Sequence, residues 1–143
     1  MSVRPLQWFG DYYKGYMNLI NGFTRTPTER SIGDFEIAYR TLVSQGQQIF
    51  VIEKDSVIVA SITVQCQQKL HNNFNSVLHI EDLIVLPEHR GKGYAKSLIE
   101  YVIKECSKNC YKIVLTCNEE YISFYKKCGF MLKGNEMCKY TQD

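Results

Sequence analysis

An Arg-Gly-Lys-Gly turn at residues 90–93 stands between an apolar run that ends at Pro87 and an amphipathic stretch that opens at Tyr94. Glycines let the backbone approach a ligand closely and aim several N–H groups at one point. A helix starting at once adds the positive end of its dipole, so the turn is expected to bind an anion, most naturally a phosphate or pyrophosphate. Two common phosphate loops do not fit. A Walker loop needs Gly-Lys-Ser/Thr, but Gly91-Lys92 is followed by Gly93, and a dinucleotide fingerprint needs a third glycine where Lys96 stands. Glu81 and Asp82 precede the turn on the same apolar run. Adjacent strand residues point to opposite faces, so one carboxylate is expected to face a cleft while the other braces the structure. A cationic amine needs an anion to bind it and a base to take its proton, and such a pair can supply both.

The elements that must position these groups can be read along the chain. Residues 3–8 suggest a short edge strand, and Asp11 to about Phe23 a helix weakened by Gly15 and Gly22. Residues 24–30 form a loop with Pro27. Ser31 and Asp34 make a near capping box for a helix with Phe35, Ala38, Tyr39, Leu42 and Val43 on one face, stopping near Gly46. Strands at 49–54 and 57–67 flank an Asp55-Ser56 hairpin turn, and 71–76 is a polar loop. A long strand follows at 77–86, whose Leu83–Leu86 run suggests burial on both faces. After the glycine turn, Ala95, Leu98, Ile99, Val102, Ile103 and Cys106 recur at helical spacing. Residues 112–117 read as a buried strand. Asn118 is placed to cap the next helix, with Glu119 and Glu120 in its first turn, Lys126 and Lys127 in its last, and Gly129 ending it. Residues 130–132 and 136–140 suggest final short strands. The order predicts an α/β chain folded as a single domain over 1–143, a mixed central sheet flanked by about four helices.

Composition excludes some partners. With 143 residues, 45% hydrophobic and 22% charged, the chain has enough for one real core. A net charge of +2 gives no reason to expect nucleic acid or a membrane surface. No window approaches the roughly 20 apolar residues of a membrane span, and the N-terminus has no apolar core of signal length. Six cysteines (66, 106, 110, 117, 128 and 138) show no Cys-x-x-Cys, and the three histidines do not complete a ligand pattern. Buried free thiols in a reducing cytoplasm, without a metal, are expected.

Arg90, Gly93 and Ala95 after an apolar strand form Arg-x-x-Gly-x-Ala, which resembles the acetyl-CoA pyrophosphate loop of the GNAT superfamily of N-acetyltransferases. The resemblance sharpens when His79–Asp82, the glycine turn, Asn109–Leu115 and Phe124–Phe130 are taken together. Their order and spacing are similar to those of glucosamine 6-phosphate N-acetyltransferases, closely over 79–130 and loosely over 1–70. The looser part rests on Phe23-Thr24 and on Gln68-Lys69-Leu70-His71. The resemblance implies acetyl-CoA as cosubstrate and glucosamine 6-phosphate as acceptor, with a product that feeds UDP-N-acetylglucosamine synthesis. It implies that Thr24 and the loop Gln68, Lys69, Leu70 and His71 hold the sugar phosphate. Glu81 and Asp82 would meet the sugar and its amine. The backbone of Leu83, Ile84 and Val85 would pair with the pantetheine arm. Arg90, Gly91, Lys92, Gly93, Tyr94 and Ala95 would cradle the pyrophosphate. Tyr125 would face the sulfur as general acid, although the same residue also suits packing against Tyr121 one turn back.

The sequence departs from the family in three places. Thr116 stands where an acidic residue is usual, and Tyr121 where an Asn is common near the CoA arm. Near the C-terminus, an Arg that reaches the substrate phosphate of the partner subunit is replaced by Lys139 or Tyr140, depending on register. The resemblance implies a homodimer with shared sites. A GNAT enzyme for another small amine or a protein amine, and a CoA-binding module without turnover, are the alternatives.

Overall fold

Asp55 and Ser56 both take left-handed conformations, φ 51° and 64°, as a two-residue hairpin requires if its twist is to match the strands. The turn joins β2 (Gln47–Lys54) to β3 (Val57–Gln68) in antiparallel register. The computed structural model describes residues 2–142. Its five-stranded sheet runs in order β1-β2-β3-β4-β5, with β1 (Val3–Pro5) on one edge, β4 (Ser76–Val85) beside β3, and β5 (Cys110–Val114) on the other edge. Only the β4–β5 pair is parallel, so the sheet is mixed.

The core sits under β2 and β3. Every residue from Ile58 to Val64 is buried, because helices cover the sheet on both faces. One layer is α4 (Tyr94–Cys106), which inserts Leu98, Ile99 and Val102. The other begins with α1 (Trp8–Tyr13) and α2 (Tyr16–Ile20), where the sequence suggests one helix over 11–23. The helix starts earlier and breaks at Gly15, whose φ is 85°. The break frees the Lys14 carbonyl to accept the Ile58 N–H at 3.0 Å. Five α-helices therefore result where about four were expected, the others being α3 (Ile32–Ser44) and α5 (Ile122–Lys127). Ser31 caps α3 as anticipated, its Oγ accepting from the Asp34 N–H at 3.1 Å, but Ala38 and Val43 lie exposed.

An ion-pair knot fastens the first edge. Both oxygens of the buried Asp11 carboxylate accept from Arg4 at 2.8 Å, and one of them also accepts the Gln7 N–H. Arg4 and Lys14 share Glu53 at 2.7 and 2.8 Å. β1, α1 and β2 are thus locked together.

Several expectations fail around β5. The strand ends at Val114, short of Cys117, and none of its residues is buried. Asn118 precedes a 3₁₀ turn (Glu119–Tyr121) and makes no side-chain cap. No strand forms at 130–132 or 136–140. A strand needs a neighbour to bond to, and the chain after Gly129 runs free of the sheet. None of the six cysteines is buried, and Cys66 and Cys138 are exposed. Cys106, in the last turn of α4, packs only partly against the core, and Cys117 lies beyond the end of β5. Among the described residues no helix is long and apolar enough to cross a membrane.

Candidate active site

β4 keeps its pairing with β3 as far as Ala60–Val85, but β5 leaves it after His79–Val114. The β5-facing edge of residues 80–85 has no strand partner among the described residues. A wedge opens there, with the β5-facing backbone edge along Leu83, Ile84 and Val85 unpaired by any strand among the described residues. These three are half-buried rather than buried on both faces as expected, because that side of β4 is uncovered.

A bulge lies at the root of the wedge. Ser61 pairs with Ile84 and Thr63 with Glu81, so Ile62 faces two residues, Asp82 and Leu83. Asp82 takes φ 50°, an uncommon conformation outside glycine that often marks a bulge or functional strain. The bulge cancels the expected alternation, and Glu81 and Asp82 are both exposed. Partial burial raises the Glu81 carboxyl above its usual range, helped by the charge of Asp82.

Residues with no obvious motif support the bulge. Ser61 and Tyr16 meet in the core, hydroxyl to hydroxyl at 3.2 Å. Burial, with a smaller contribution from Asp82, pushes the Tyr16 phenol up to about 12. A Cβ on Gly22 would come within 2.7 Å of Ile84 Cδ1, so any larger residue at this position in the 3₁₀ turn at Asn21–Phe23 would push the Ile84 side chain aside. Sequence reasoning registered Gly22 only as a helix weakener and missed Tyr16 and Ser61.

The glycine turn closes the far end of β4. After a 3₁₀ turn at Pro87–His89, Gly91 and Gly93 adopt φ 75° and 87°, conformations that side chains with a Cβ resist. Gly93 is the N-cap of α4 and offers no side-chain cap, so the first-turn N–H groups have no side-chain acceptor there. Arg90 Nε reaches back to the Val85 carbonyl at 3.1 Å, tying turn to strand. Lys92 is exposed, Tyr94 buried and Ala95 half-buried. His89 Nδ1 is buried behind the turn without a hydrogen-bond partner.

Tyr125 sits on α5, its ring edge-on to Phe124 and Phe130 at 5.1 and 6.0 Å. Burial first, then the neighbouring Cys117 and Cys128 thiols, push its phenol up to about 12. It keeps its proton at neutral pH. Burial also raises the Cys128 thiol, against the opposing charge of Lys96.

The remaining candidates are spread more widely. Thr24 is exposed at the end of the 3₁₀ turn, its N–H bonded to the Asn21 carbonyl at 3.0 Å. The Gln68 amide clamps the next loop by donating to the Lys69 and Phe74 carbonyls at 2.8 and 2.6 Å. His71 bonds Asn72 and leans its ring on Tyr111 of β5, while Leu70 is exposed. This loop does not meet Glu81 within one chain. Gln68 stands opposite Ser76, five residues from Glu81 and so about 17 Å along the strand. Thr116, Lys139 and Tyr140 are all exposed. A groove of about 910 Å³ runs between β5 and the chain after α5, lined by Tyr111, Leu115, Thr116, Tyr125, Phe130 and Leu132 among others. It touches neither the glycine turn nor Glu81.

The profile of the acetyltransferase (GNAT) family matches residues 9–130. The chain belongs to that family. It is 33% identical to the glucosamine 6-phosphate N-acetyltransferase of Arabidopsis thaliana, over 97% of this chain and 95% of that one. Identity to glucosamine 6-phosphate N-acetyltransferase 1 of Dictyostelium discoideum is 31%, over 98% and 90%. The crystal structure of the Arabidopsis enzyme superposes with a TM-score of 0.91 at 31% identity, covering 99% and 98%. That of a Trypanosoma brucei acetyltransferase gives 0.88 at 27% identity over 97% and 98%. The chain is thus an acetyl-CoA-dependent N-acetyltransferase of GNAT fold.

Proposed function

We propose that this protein transfers the acetyl group of acetyl-CoA to the amine of glucosamine 6-phosphate. The observation that carries the reading is the wedge between β4 and β5, which ends at one side in the uncapped glycine turn and at the other in two exposed carboxylates. The two left-handed glycines and a helix start with no side-chain cap fit a pyrophosphate, with Arg90, Gly91, Lys92, Gly93, Tyr94 and Ala95 around it. The open edge at Leu83, Ile84 and Val85 fits a pantetheine arm added as a strand. Curated relatives that cover nearly the whole chain carry the sugar-phosphate activity in their names.

Acetyl-CoA supplies the acyl thioester. Glu81 and Asp82 bind the sugar amine and accept its proton, and the raised carboxyl of Glu81 makes it the stronger base. A backbone N–H of the β4 edge stabilises the oxygen that gains charge. Tyr125, protonated at neutral pH, donates to the departing sulfur. The amine attacks directly. A relay through Cys128 is disfavoured by its raised thiol. The reading calls for no metal, nucleic acid or membrane. It places the protein in the cytoplasm, where the product feeds UDP-N-acetylglucosamine synthesis.

The phosphate half of the acceptor site falls to Thr24, Gln68, Lys69, Leu70, His71 and Thr116, completed by Lys139 or Tyr140 of a second copy in a homodimer. Three features support the dimer. β5 leaves an unpaired edge, a groove runs beside it, and the tail exposes Met137 and Tyr140 almost completely. Such an edge invites a strand from another chain. A panel of amines assayed by CoA release tests the function. Release with glucosamine 6-phosphate far exceeding that with other amino sugars, polyamines or peptide amines is expected. Preference for any other amine, or no turnover at all, would refute it.

A further inference from the structure

Cys66 on β3 and Cys110 at the start of β5 hold their sulfurs 3.4 Å apart, unbonded. The two strands flank the first residues of β4, where Cys66 stands opposite Leu78 and Cys110 opposite Ser76. A disulfide is about 2.05 Å long and holds its Cα atoms within about 7 Å. β4 stands between the two strands at about 4.8 Å from each, so closing the bond requires the backbones of β3 and β5 to shift as well as the sulfurs to approach by about 1.4 Å. The two thiols differ in access. Cys66 is exposed, whereas Cys110 is half-buried, and burial together with its hydrogen bond to Cys66 pushes its thiol up to about 11. Cys66 therefore meets a solvent oxidant first, and Cys110 stands behind it as a resolving thiol that acts slowly at neutral pH, because it holds its proton, and faster as pH rises.

The pair lies at the root of one particular loop. Gln68, which clamps residues 69–74, follows two residues after Cys66. Asn109, whose carbonyl takes the Ser76 N–H at 2.8 Å, immediately precedes Cys110. Tyr111, on which His71 leans, immediately follows it. A shift that draws β3 and β5 together is transmitted to the loop from both of its ends. The glycine turn is at the opposite end of β4, about 30 Å away along a ten-residue strand.

We propose that Cys66 and Cys110 are a peroxide-sensitive thiol pair whose oxidation to a disulfide weakens the hold of loop 68–71 on the sugar phosphate. The regulatory half rests on the acceptor assignment above. In the first step the Cys66 sulfur attacks hydrogen peroxide, the O–O bond breaks, and Cys66 sulfenic acid and one water form. In the second, the Cys110 sulfur attacks the Cys66 sulfur. The S–S bond forms, the S–O bond breaks, and hydroxide leaves as water with the Cys110 proton. Two thiols lose two electrons and two protons, and the peroxide takes up both.

The test uses the full chain, reduced and then treated with hydrogen peroxide. Intact mass is expected to fall by about 2 Da, with peptide mapping linking Cys66 to Cys110. KM for glucosamine 6-phosphate should rise roughly threefold or more, since small displacements at a binding loop are costly, with KM for acetyl-CoA unchanged and both effects reversed by dithiothreitol. Cys66→Ser and Cys110→Ser should abolish the link and the shift, while Cys106→Ser keeps both. A link to any other cysteine, or over-oxidation of Cys66 without a link, overturns the pair. A Cys66–Cys110 link that moves neither KM, or moves both alike, overturns its regulatory role. The peptide link is read without substrate. If the reduced protein fails to acetylate glucosamine 6-phosphate, the acceptor assignment falls, and the thiol pair is still judged by mass.

Discussion

From Ile58 to Val64 every residue of β3 is buried, whereas no residue of β5 is. The β1 edge is finished, with a buried carboxylate holding a bidentate arginine and ionic contacts joining three elements. The β5 edge is unfinished, with a strand whose outer side has no partner among the described residues, a groove of about 910 Å³ and exposed Met131, Met137 and Tyr140 in the tail. All the proposed chemistry lies on the unfinished side or at its boundary, from the bulge at Asp82 to Tyr125. The contrast separates two tasks in one sheet. One half serves stability, and in the proposed reading the other keeps backbone free for ligands and for a second copy.

Two substitutions of comparable size should pull these halves apart. Asp11→Ala removes the bidentate partner of Arg4 and the acceptor of the Gln7 N–H, while Arg4 keeps Glu53. Losing hydrogen bonds to a charged group typically costs about 1.5–3 kcal/mol, roughly a factor of 10 to 10² in the folding equilibrium. Denaturant unfolding should show that loss, while the fraction still folded binds CoA normally. Tyr125→Phe should do the reverse, with a drop of roughly 10²-fold in kcat, little change in KM and an unchanged unfolding midpoint. If Asp11→Ala spared stability or Tyr125→Phe spared turnover, the division would be misplaced.

The smallest effect is the most diagnostic for Glu81. Its folded-state pKa is raised above the 4.5 of an ordinary carboxyl, so the folded protein binds that proton more tightly than the unfolded chain. The associated stability is present at low pH and lost as pH rises through the folded pKa. Glu81→Gln keeps the neutral form at every pH. Its melting temperature should equal or slightly exceed wild type at pH 7 and match it below pH 4.5, while activity falls. A lower melting temperature at pH 7 would make Glu81 a structural residue.

How far the sequence revealed each half follows the same contrast. The hairpin at Asp55-Ser56, the cap at Ser31 and the 3-and-4 spacing of α4 are local signals, and the structure carries them all. The glycine turn was legible because glycine at positive φ leaves a compositional mark. The bulge at Asp82 was not, because it depends on which residues of β3 pair opposite. Tyr16 and Ser61 looked like ordinary helix and strand residues, since only packing brings them together. The strands expected at 130–132 and 136–140 have the right composition but form no ladder with another segment among the described residues, and β-pairing is a property of two segments.

The central claim is that the open half of the sheet is the catalytic half and that a second copy completes it. Subunit complementation tests this most directly. Neither Glu81→Gln nor the double variant Lys139→Ala/Tyr140→Ala should turn over efficiently at low glucosamine 6-phosphate; for the tail variant, losing one charge-assisted phosphate contact is worth about tenfold or more in KM. After mixing and subunit exchange, half of the dimers would be mixed, each with one intact site and one doubly damaged. Activity should then recover to about a quarter of wild type, as two-fold symmetry requires. No recovery despite proven exchange, or full activity in a species that sediments as a monomer, would contradict the account.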